Sequence, residues 1–213
     1  MGAEPESALL IQFARAPAAG AVKTRMLPHL SPRQACDLHC ELVSWTCRRL
    51  TSAGLGAVEL AVAGGTGATL FRECRAAVVS AVYRQCGRDL GERMYRAILG
   101  GLARHDRVIL VGSDCPWIDR TYLQSALEAL DVAPLVLGPA LDGGYVLIGA
   151  RQVRPELFSR ISWGSGAVLA QTRKRLEALG WGWRELPALQ DVDRPEDLDA
   201  WRALRDAHDA AMR

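Results

Sequence analysis

Short apolar runs alternate along this chain with segments in which apolar residues recur at helical spacing. The apolar runs are typical of strands buried inside a sheet, and they lie at residues 8–13, 58–63, 79–83, 107–111, 135–137 and 145–148. Between the runs, apolar residues three or four positions apart predict amphipathic helices. Such helices are expected after residue 31, over the segments that carry residues 90–102 and 123–130, and at about 165–179 and 194–208.

The first of these helices has a clear start signal. Ser31 can cap the helix, Pro32 suits its first position, and Gln34 completes a capping box. The apolar positions that follow are Ala35, Leu38, Leu42 and Trp45. We therefore predict a helix that buries this face.

The alternation of strands and helices predicts an α/β fold in which a central, mostly parallel sheet is covered by helices on both faces. No linker or repeat divides the chain, so we predict a single domain over residues 8–208 after a short N-terminal tail, residues 1–7. In such sheets, ligands bind beyond the carboxyl ends of the strands. The loops that follow Phe13, Ala63, Val111 and Leu137 should therefore lie along one edge.

Composition narrows the possible partners. The 213 residues are 49% hydrophobic and 23% charged, with a net charge of +2, which is typical of a globular protein and excludes a disordered or fibrous one. Such a charge balance gives no broad positive field for nucleic acid. No apolar run approaches the roughly 20 residues of a membrane span, and the acidic start does not resemble a secretory signal. We expect a cytoplasmic protein whose anion site is local.

The loop after the first strand is rich in small residues and in cations. Its backbone N–H groups, from Ala14 through Gly20, could surround phosphate oxygens. Arg15, Lys23 and Arg25 would add positive charge. The segment is neither a Walker A motif nor a GxGxxG motif, which argues against hydride transfer. A solvated basic loop is the simpler alternative.

Ser113 and Asp114 follow directly after the strongly apolar run 107–111. A carboxylate at this edge is well placed to hold a divalent cation that bridges phosphates. Alternatively, Asp114 caps the next helix or turn. A basic loop opposite favours the metal, because metal and cations together neutralise a polyphosphate.

A glycine-rich turn joins the runs 135–137 and 145–148. Asp142-Gly143 between two strands is a strong hairpin signal, so a purely structural turn explains much of this glycine-rich segment. Gly144 would let the backbone approach a ligand closely, and Asp142 could then hold an acceptor hydroxyl.

Two further segments allow both a structural and a functional interpretation. Asp193 and Glu196 form a variant capping box before the last helix, whereas Asp191 is not needed for capping, so the Asp-x-Asp pair may also reach a metal. Trp163 and Ser165 precede another helix, where Ser165 would be its cap and Trp163 would pack. An acceptor-facing loop is the alternative for that segment.

Taken in order, five motifs resemble the bacterial DUF2064 family, also described as radical-SAM/selenodomain-associated transferase 1. They cover the chain from about residue 8 to 205 and lie at residues 13–25, 89–94, 112–116, 138–145 and 191–198. The resemblance implies a GT-A-like α/β/α sandwich of the nucleotide-diphospho-sugar transferase superfamily, with glycosyltransferase activity. The stretch Val22-Lys23-Thr24-Arg25 is also similar to the first loop of 2-phospholactate guanylyltransferases.

The resemblance also implies roles for individual residues. In the superfamily the aspartate after the central strand helps to bind a divalent cation, which assigns that role to Asp114, and a second ligand before the final helix corresponds to Asp193. The chain departs from the usual D-x-D, having Ser113-Asp114-Cys115, and it has Trp163-Gly164-Ser165 where Trp-Ser-Thr is expected.

The leading hypothesis is a Mg²⁺- or Mn²⁺-assisted transferase that uses a nucleotide-sugar donor and a small acceptor. The residues expected to bind the nucleotide are Ala14, Arg15, Gly20, Lys23, Arg25 and Ser113; those facing the acceptor are Asp142, Gly143, Gly144, Tyr145 and Trp163; the catalytic set is Lys23, Asp114 and Asp142. Catalysis would rest on positioning and electrostatics. The alternatives are a nucleotidyltransferase that releases pyrophosphate and a non-catalytic nucleotide-binding module.

Overall fold

A mixed sheet forms the centre of the molecule. The structure is a computed structural model that describes residues 7–76 and 79–211. Its strands, in chain order, are β1 (Ala8–Arg15), β2 (Ala57–Ala63), β3 (Ala81–Arg84), β4 (Arg107–Val111), β5 (Leu135–Pro139), β6 (Tyr145–Ala150) and β7 (Arg184–Glu185). Across the sheet their order is β3-β2-β1-β4-β6-β5-β7. Only β6 runs antiparallel to its neighbours in this sheet, which confirms the predicted mostly parallel mixed sheet.

Helices cover both faces of the sheet. They are α1 (Pro32–Ala53), α2 (Thr69–Ala76), α3 (Leu90–Leu102), α4 (Arg120–Val132), α5 (Val168–Ala178) and α6 (Leu198–Ala211). Side chains of α1, α2 and α4 pack with Leu10 and Ile109 on one face. Those of α3 and α5 pack with Leu9 and Ile11 on the other, because successive strand side chains point to opposite faces. The predicted α/β/α sandwich is confirmed.

The start of α1 follows its sequence signal. Ser31 Oγ accepts a hydrogen bond from the Gln34 backbone N–H, and the Gln34 side chain accepts one from the Ser31 backbone N–H. The predicted apolar positions of this helix are buried. On its outer side α1 packs against α6, where the rings of Trp45 and Trp201 meet edge to face with centroids 5.0 Å apart.

Three sequence expectations need correction. The short helix α2 and the two-residue edge strand β7 were not predicted, because α2 carries only three buried side chains and both residues of β7 are exposed. Helix α5 begins at Val168, with Ala167 rather than Ser165 at its cap position. Leu90 shares the helical spacing of the apolar residues Met94 and Ile98, which predicts burial, yet it is 41% exposed.

The carboxyl ends of β1, β2, β4 and β5 meet at one edge of the sheet, as predicted. At this edge Arg15 pairs with Ala63 of β2, and Gln12 pairs with Val111 of β4. The start of β6 lies at the same edge because that strand runs in the opposite direction. The loops that carry the candidate functional residues therefore surround a common space.

Ser7, the first of the described residues, contacts the loop before β4. Of the predicted tail, residues 1–7, all but Ser7 lie outside the described residues; the Ser7 backbone N–H donates to Asp106 Oδ2 at 2.9 Å. Among residues 7–76 and 79–211, none of the helices combines the length and the apolar character needed to cross a bilayer.

Candidate nucleotide and acceptor site

A cleft of about 510 Å³ opens at the carboxyl ends of β1, β2 and β4, and we call it the large cleft. Its basic wall is the loop that follows β1, and the start of the β4–α4 loop lies opposite. Of the residues predicted to bind nucleotide or metal, the large cleft brings together Ala14, Arg15, Lys23, Arg25, Ser113, Asp114 and Asp193. Side chains from distant parts of the sequence thus converge on one space.

Lys23 is the most constrained cation in this cleft. Its backbone adopts the left-handed conformation with φ 51°, and its side chain is only 3% exposed. The ammonium Nζ lies 2.6 Å from Asp114 Oδ1 and donates to the Val192 carbonyl oxygen at 2.5 Å. A buried ammonium group needs partners of this kind, since unpaired burial of a charge is costly.

Asp114 presents its carboxylate to the cleft, and the side chain is 48% exposed. Partial burial tends to raise the pKa of this carboxyl group, but the charge and hydrogen bond of Lys23 outweigh burial and hold the pKa below its ordinary value. The Asp114 backbone oxygen accepts from the Val192 N–H at 2.8 Å, so the segment before α6 is fixed beside it. Asp114 is therefore ionised and partly accessible at neutral pH.

Asp193 has a different role from the predicted cap. Asp197 makes the capping contacts: its Oδ2 accepts from the backbone N–H groups of Asp193 and Arg194 at 2.9 and 2.7 Å. The side chain of Asp193 instead accepts from Arg25 Nη1 at 2.6 Å and lies 3.9 Å from Lys23 Nζ. The expected capping box of Asp193 and Glu196 is wrong, because Asp197, the residue after Glu196, supplies the capping carboxylate.

Asp191 lies near several other carboxylate groups, including those of Asp142 and Asp114. Burial is the main cause that raises its pKa to about 6, and the negative charges of Asp142 and Asp114 raise it further. Asp191 lines the second cavity described below together with Asp142. A group of this kind is stabilised by any cation placed between it and its neighbours.

The donor set of this edge suits a hard divalent cation. Within the described part of the chain, no three His, Cys, Asp or Glu residues are grouped closely enough to form a metal site by themselves. Mg²⁺ does not need one, since it keeps several waters and usually takes only one or two protein carboxylates together with substrate phosphates. Asp114 together with Asp191 or Asp193 would supply two such carboxylates.

Several predicted residues serve the architecture instead. Ser113 lines the large cleft, but its hydroxyl accepts from Gln12 Nε2 at 2.9 Å and donates to the Phe13 carbonyl oxygen at 2.7 Å, so it joins β1 to β4. Gly20 does not line the cleft; its φ of 79° serves a turn in the loop. Gly143 lines neither the large cleft nor the second cavity described below. Its φ is 90°, and a Cβ at this position would collide with the backbone of Gly166.

His39 in α1 was not singled out from the sequence. Its Nε2 lies 3.0 Å from the Arg15 carbonyl oxygen, and burial lowers the pKa of the imidazole despite that hydrogen bond. The neutral ring therefore donates from Nε2 to Arg15 and steadies the basic loop. Its only sequence signal was a position on the buried face of α1.

Gln85 and Arg93 complete the far wall of the large cleft and were also missed. Gln85 Nε2 donates to the carbonyl oxygens of Ala14 and Ala61 at 3.3 and 3.0 Å, and Arg93 Nε donates to the Gly87 oxygen at 3.1 Å. Arg93 lies within the motif at residues 89–94, which carried the family resemblance but no assigned role. That motif was the one sequence feature that could have indicated a functional role for Arg93.

A second cavity of about 220 Å³ adjoins the large cleft, and we call it the apolar cavity. Phe13, Leu90, Arg25 and Gly112 belong to both walls. Of the residues expected to face an acceptor, it brings together Asp142, Gly144, Tyr145 and Trp163. The residues expected to bind the nucleotide and those expected to face an acceptor therefore line two adjoining spaces.

Trp163 is held in the apolar cavity by close packing. A Cβ added to Gly91 of α3 would lie 2.8 Å from Trp163 Cζ2 and 3.0 Å from Phe158 Cβ, so only glycine fits there. The rings of Trp163 and Tyr145 meet edge to face, with their centroids 6.5 Å apart. Asp142 faces the rim, and its Oδ1 accepts from the Gly144 N–H at 2.9 Å, which shapes the turn.

Comparison with known proteins places the chain in a family. The model of a family described as "Uncharacterized protein conserved in bacteria (DUF2064)" matches residues 46–165, more than half of the chain. The chain belongs to the DUF2064 family. A search of curated proteins found no match.

Solved structures share the fold of this DUF2064 member. A protein of Desulfovibrio desulfuricans G20 assigned to the nucleotide-diphospho-sugar transferases is 30% identical, with a TM-score of 0.79 over 89% of this chain and 84% of that one. CMP:2-keto-3-deoxy-manno-octonic acid synthetase in complex with CTP is 15% identical, with a TM-score of 0.58 over 95% and 99%. Rv0371c of Mycobacterium tuberculosis H37Rv in complex with manganese is 17% identical, with a TM-score of 0.52 over 92% and 97%.

Proposed function

We propose that this DUF2064 protein is a metal-assisted transferase that takes a nucleotide-sugar donor and passes the sugar to a small acceptor. The observation that carries the proposal is the buried Lys23 ammonium group on Asp114, in the wall of the large cleft. The 30% identity to a protein assigned to the nucleotide-diphospho-sugar transferases supports the donor class.

The charge of the large cleft supports a diphosphate donor. Four cations line it, namely Arg15, Lys23, Arg25 and Arg93, against the two carboxylates of Asp114 and Asp193. Two of the four cations are already paired with these carboxylates. The remaining positive charge suits a nucleoside diphosphate-sugar, which carries fewer negative charges than a triphosphate. Backbone N–H groups of the loop that begins at Ala14 would assist.

A divalent cation would be held by Asp114 and by one carboxylate of the segment before α6. Asp193 is the ligand that the family resemblance implies, but both of its carboxylate oxygens face cations, Arg25 at 2.6 Å and Lys23 at 3.9 Å, whereas only one oxygen of Asp114 contacts Lys23. Asp191 is instead surrounded by carboxylates, so we propose it as the second ligand. When bound, Mg²⁺ or Mn²⁺ supplies positive charge that stabilises the leaving phosphate. Lys23 would orient Asp114 and add its own charge to the same phosphates.

The transfer itself needs no protein nucleophile. An acceptor oxygen forms a bond to the anomeric carbon, the bond from that carbon to the phosphate oxygen breaks, and the nucleoside diphosphate leaves. The acceptor proton passes to a carboxylate at the rim, for which Asp142 is the proposed base. Positioning and electrostatic stabilisation supply the rate enhancement.

Nucleotidyl transfer is the second candidate. The basic loop of Arg15, Lys23 and Arg25 would also accept a triphosphate, and the chain shares its fold with a synthetase solved with CTP. In that reaction the acceptor oxygen attacks the α-phosphorus and pyrophosphate leaves. The two candidates therefore differ in the bond that breaks and in the product.

Thermal unfolding with a ligand panel separates these candidates. The full chain is melted with Mn²⁺ and each common nucleoside triphosphate or nucleotide-sugar. Products are then assayed as nucleoside diphosphate or pyrophosphate in the presence of a mixture of small alcohols and sugars as acceptors. A ligand at 100 times its Kd should stabilise the fold by about 2.7 kcal/mol, or roughly 5 to 10 °C. Stabilisation by triphosphates alone would reverse the ranking. Binding without any product would favour a nucleotide-binding module, and no shift with either class would overturn the proposal.

A further inference from the structure

The walls of the apolar cavity define what its occupant can be. Deep in the cavity the lining side chains are hydrocarbon or aromatic, including Phe13, Met94, Leu110 and Val168, all of which are buried. Leu90 extends this surface to the lip shared with the large cleft, and it stays 41% exposed. A ligand rich in hydroxyl groups would leave several of them unpaired against these walls, which is costly.

Charged groups are confined to the rim. Arg25, Asp142 and Asp191 line the apolar cavity and also a third cavity beside it, which places them where the two spaces meet. Arg25 is already paired with Asp193, with Nη1 2.6 Å from Oδ2. The rim therefore presents two carboxylates and one guanidinium group that is already paired, so a phosphorylated or carboxylated acceptor would find no unpaired cation among the described lining residues.

We propose that the acceptor is a small neutral alcohol with an apolar carbon skeleton, which lies in the apolar cavity with its hydroxyl group at the Asp142 rim. This inference rests on the proposed transferase function and specifies its acceptor class. The size agrees: the cavity of about 220 Å³ is roughly half as large again as the ~150 Å³ apolar cavity that binds benzene in another protein. The hydroxyl oxygen would bond to the anomeric carbon as nucleoside diphosphate leaves, and its proton would pass to Asp142.

The alcohol subsite can be tested separately from donor binding. Saturation-transfer NMR on the full chain, with and without the nucleotide ligand that stabilises it most, uses benzyl alcohol, D-glucose and glycerol 3-phosphate as probes. We expect binding of benzyl alcohol and no signal from the other two. If glucose or glycerol 3-phosphate binds and benzyl alcohol does not, the acceptor class is wrong while donor binding stands. If no nucleotide stabilises the protein, the proposed function fails independently.

A matched pair of leucines on α3 locates the binding. Leu90 lines the cavity and is 41% exposed, whereas Leu99 is 47% exposed and lines none of the cavities described above. Leu90→Gln should weaken benzyl alcohol binding at least about fivefold by removing apolar contact, and Leu99→Gln should leave it unchanged. Both variants should keep the wild-type melting temperature within a few degrees, because both positions are exposed. Equal binding in the two variants would overturn the assignment.

Discussion

Lys23 Nζ lies 2.6 Å from Asp114 Oδ1 and joins the loop after β1 to the loop after β4, at the edge of the sheet where both strands end. The lysine is buried and the aspartate faces the cleft. One contact thus fixes a cation and leaves part of an anion accessible to the cleft.

Lys23→Met tests the role of this cation. We expect the variant to fold with a loss of about 1 to 3 kcal/mol, since it leaves Asp114 without its partner, and to lose stabilisation by the nucleotide ligand. The measurement is thermal unfolding with and without ligand. Lys174→Met is the matched control, because Lys174 is an exposed lysine on α5. A Lys23→Met protein with unchanged ligand stabilisation would refute the proposed contact with phosphate.

Asp191→Asn should make the metal-free protein more stable at neutral pH. The pKa of Asp191 is raised from 3.8 to about 6 in the fold. Between these values the folded state holds the proton more tightly than the unfolded state, so stability falls as pH rises through 6. The substitution removes this loss, and we expect a gain of about 1 to 3 kcal/mol at pH 7.5 that mostly disappears at pH 4.

Urea unfolding in EDTA at the two pH values measures this gain. Asp199→Asn is the control, since that side chain is 94% exposed, and it should change the free energy of unfolding little at either pH. An equal gain for Asp191→Asn at pH 4 and pH 7.5 would show that the effect does not come from the carboxylate's charge.

The second metal ligand can be identified by comparing neighbouring substitutions. Mn²⁺ binding in the presence of a nucleoside diphosphate is followed by water-proton relaxation. We expect Asp114→Asn and Asp191→Asn each to weaken Mn²⁺ binding at least about tenfold. Asp193→Asn should weaken it less, because cations already lie at both carboxylate oxygens of Asp193. The reverse order for Asp191 and Asp193 would assign the site to Asp193.

Gly91→Ala tests the packing that holds Trp163. Alanine favours helices over glycine by about 1 kcal/mol, but the added Cβ would meet Trp163 and Phe158 at 2.8 and 3.0 Å. We expect a net loss of about 1 to 3 kcal/mol in the free energy of unfolding. Gly100→Ala on the same helix has open space around its Cβ, so it should be neutral or stabilising. Similar effects at the two glycines would contradict the packing argument.

Much of the fold could be predicted from hydrophobic pattern alone. The buried strands and the long helix α1 have strong local signals, and parallel pairing places their loops at one edge whatever the details. The pattern failed for α2 and β7, which bury little, and for Leu90, which has an apolar side chain at helical spacing but lies at the lip of a cavity. Periodicity reports which residues are apolar; it does not report whether a ligand space adjoins them.

The candidate site divides in the same way. Four groups of candidate functional residues could be predicted from local sequence: a basic loop, an aspartate after the central strand, a glycine turn and an Asp-x-Asp segment. Each lies within a few residues of a strand or helix end. The pairing of the charged side chains, in contrast, depends on the folded chain. Folding placed Lys23 on Asp114 and Arg25 on Asp193, gave the capping contacts to Asp197, and brought Gln85 and Arg93 to the cleft. Ion pairing and burial depend on groups far apart in the chain, and local spacing cannot encode those distances.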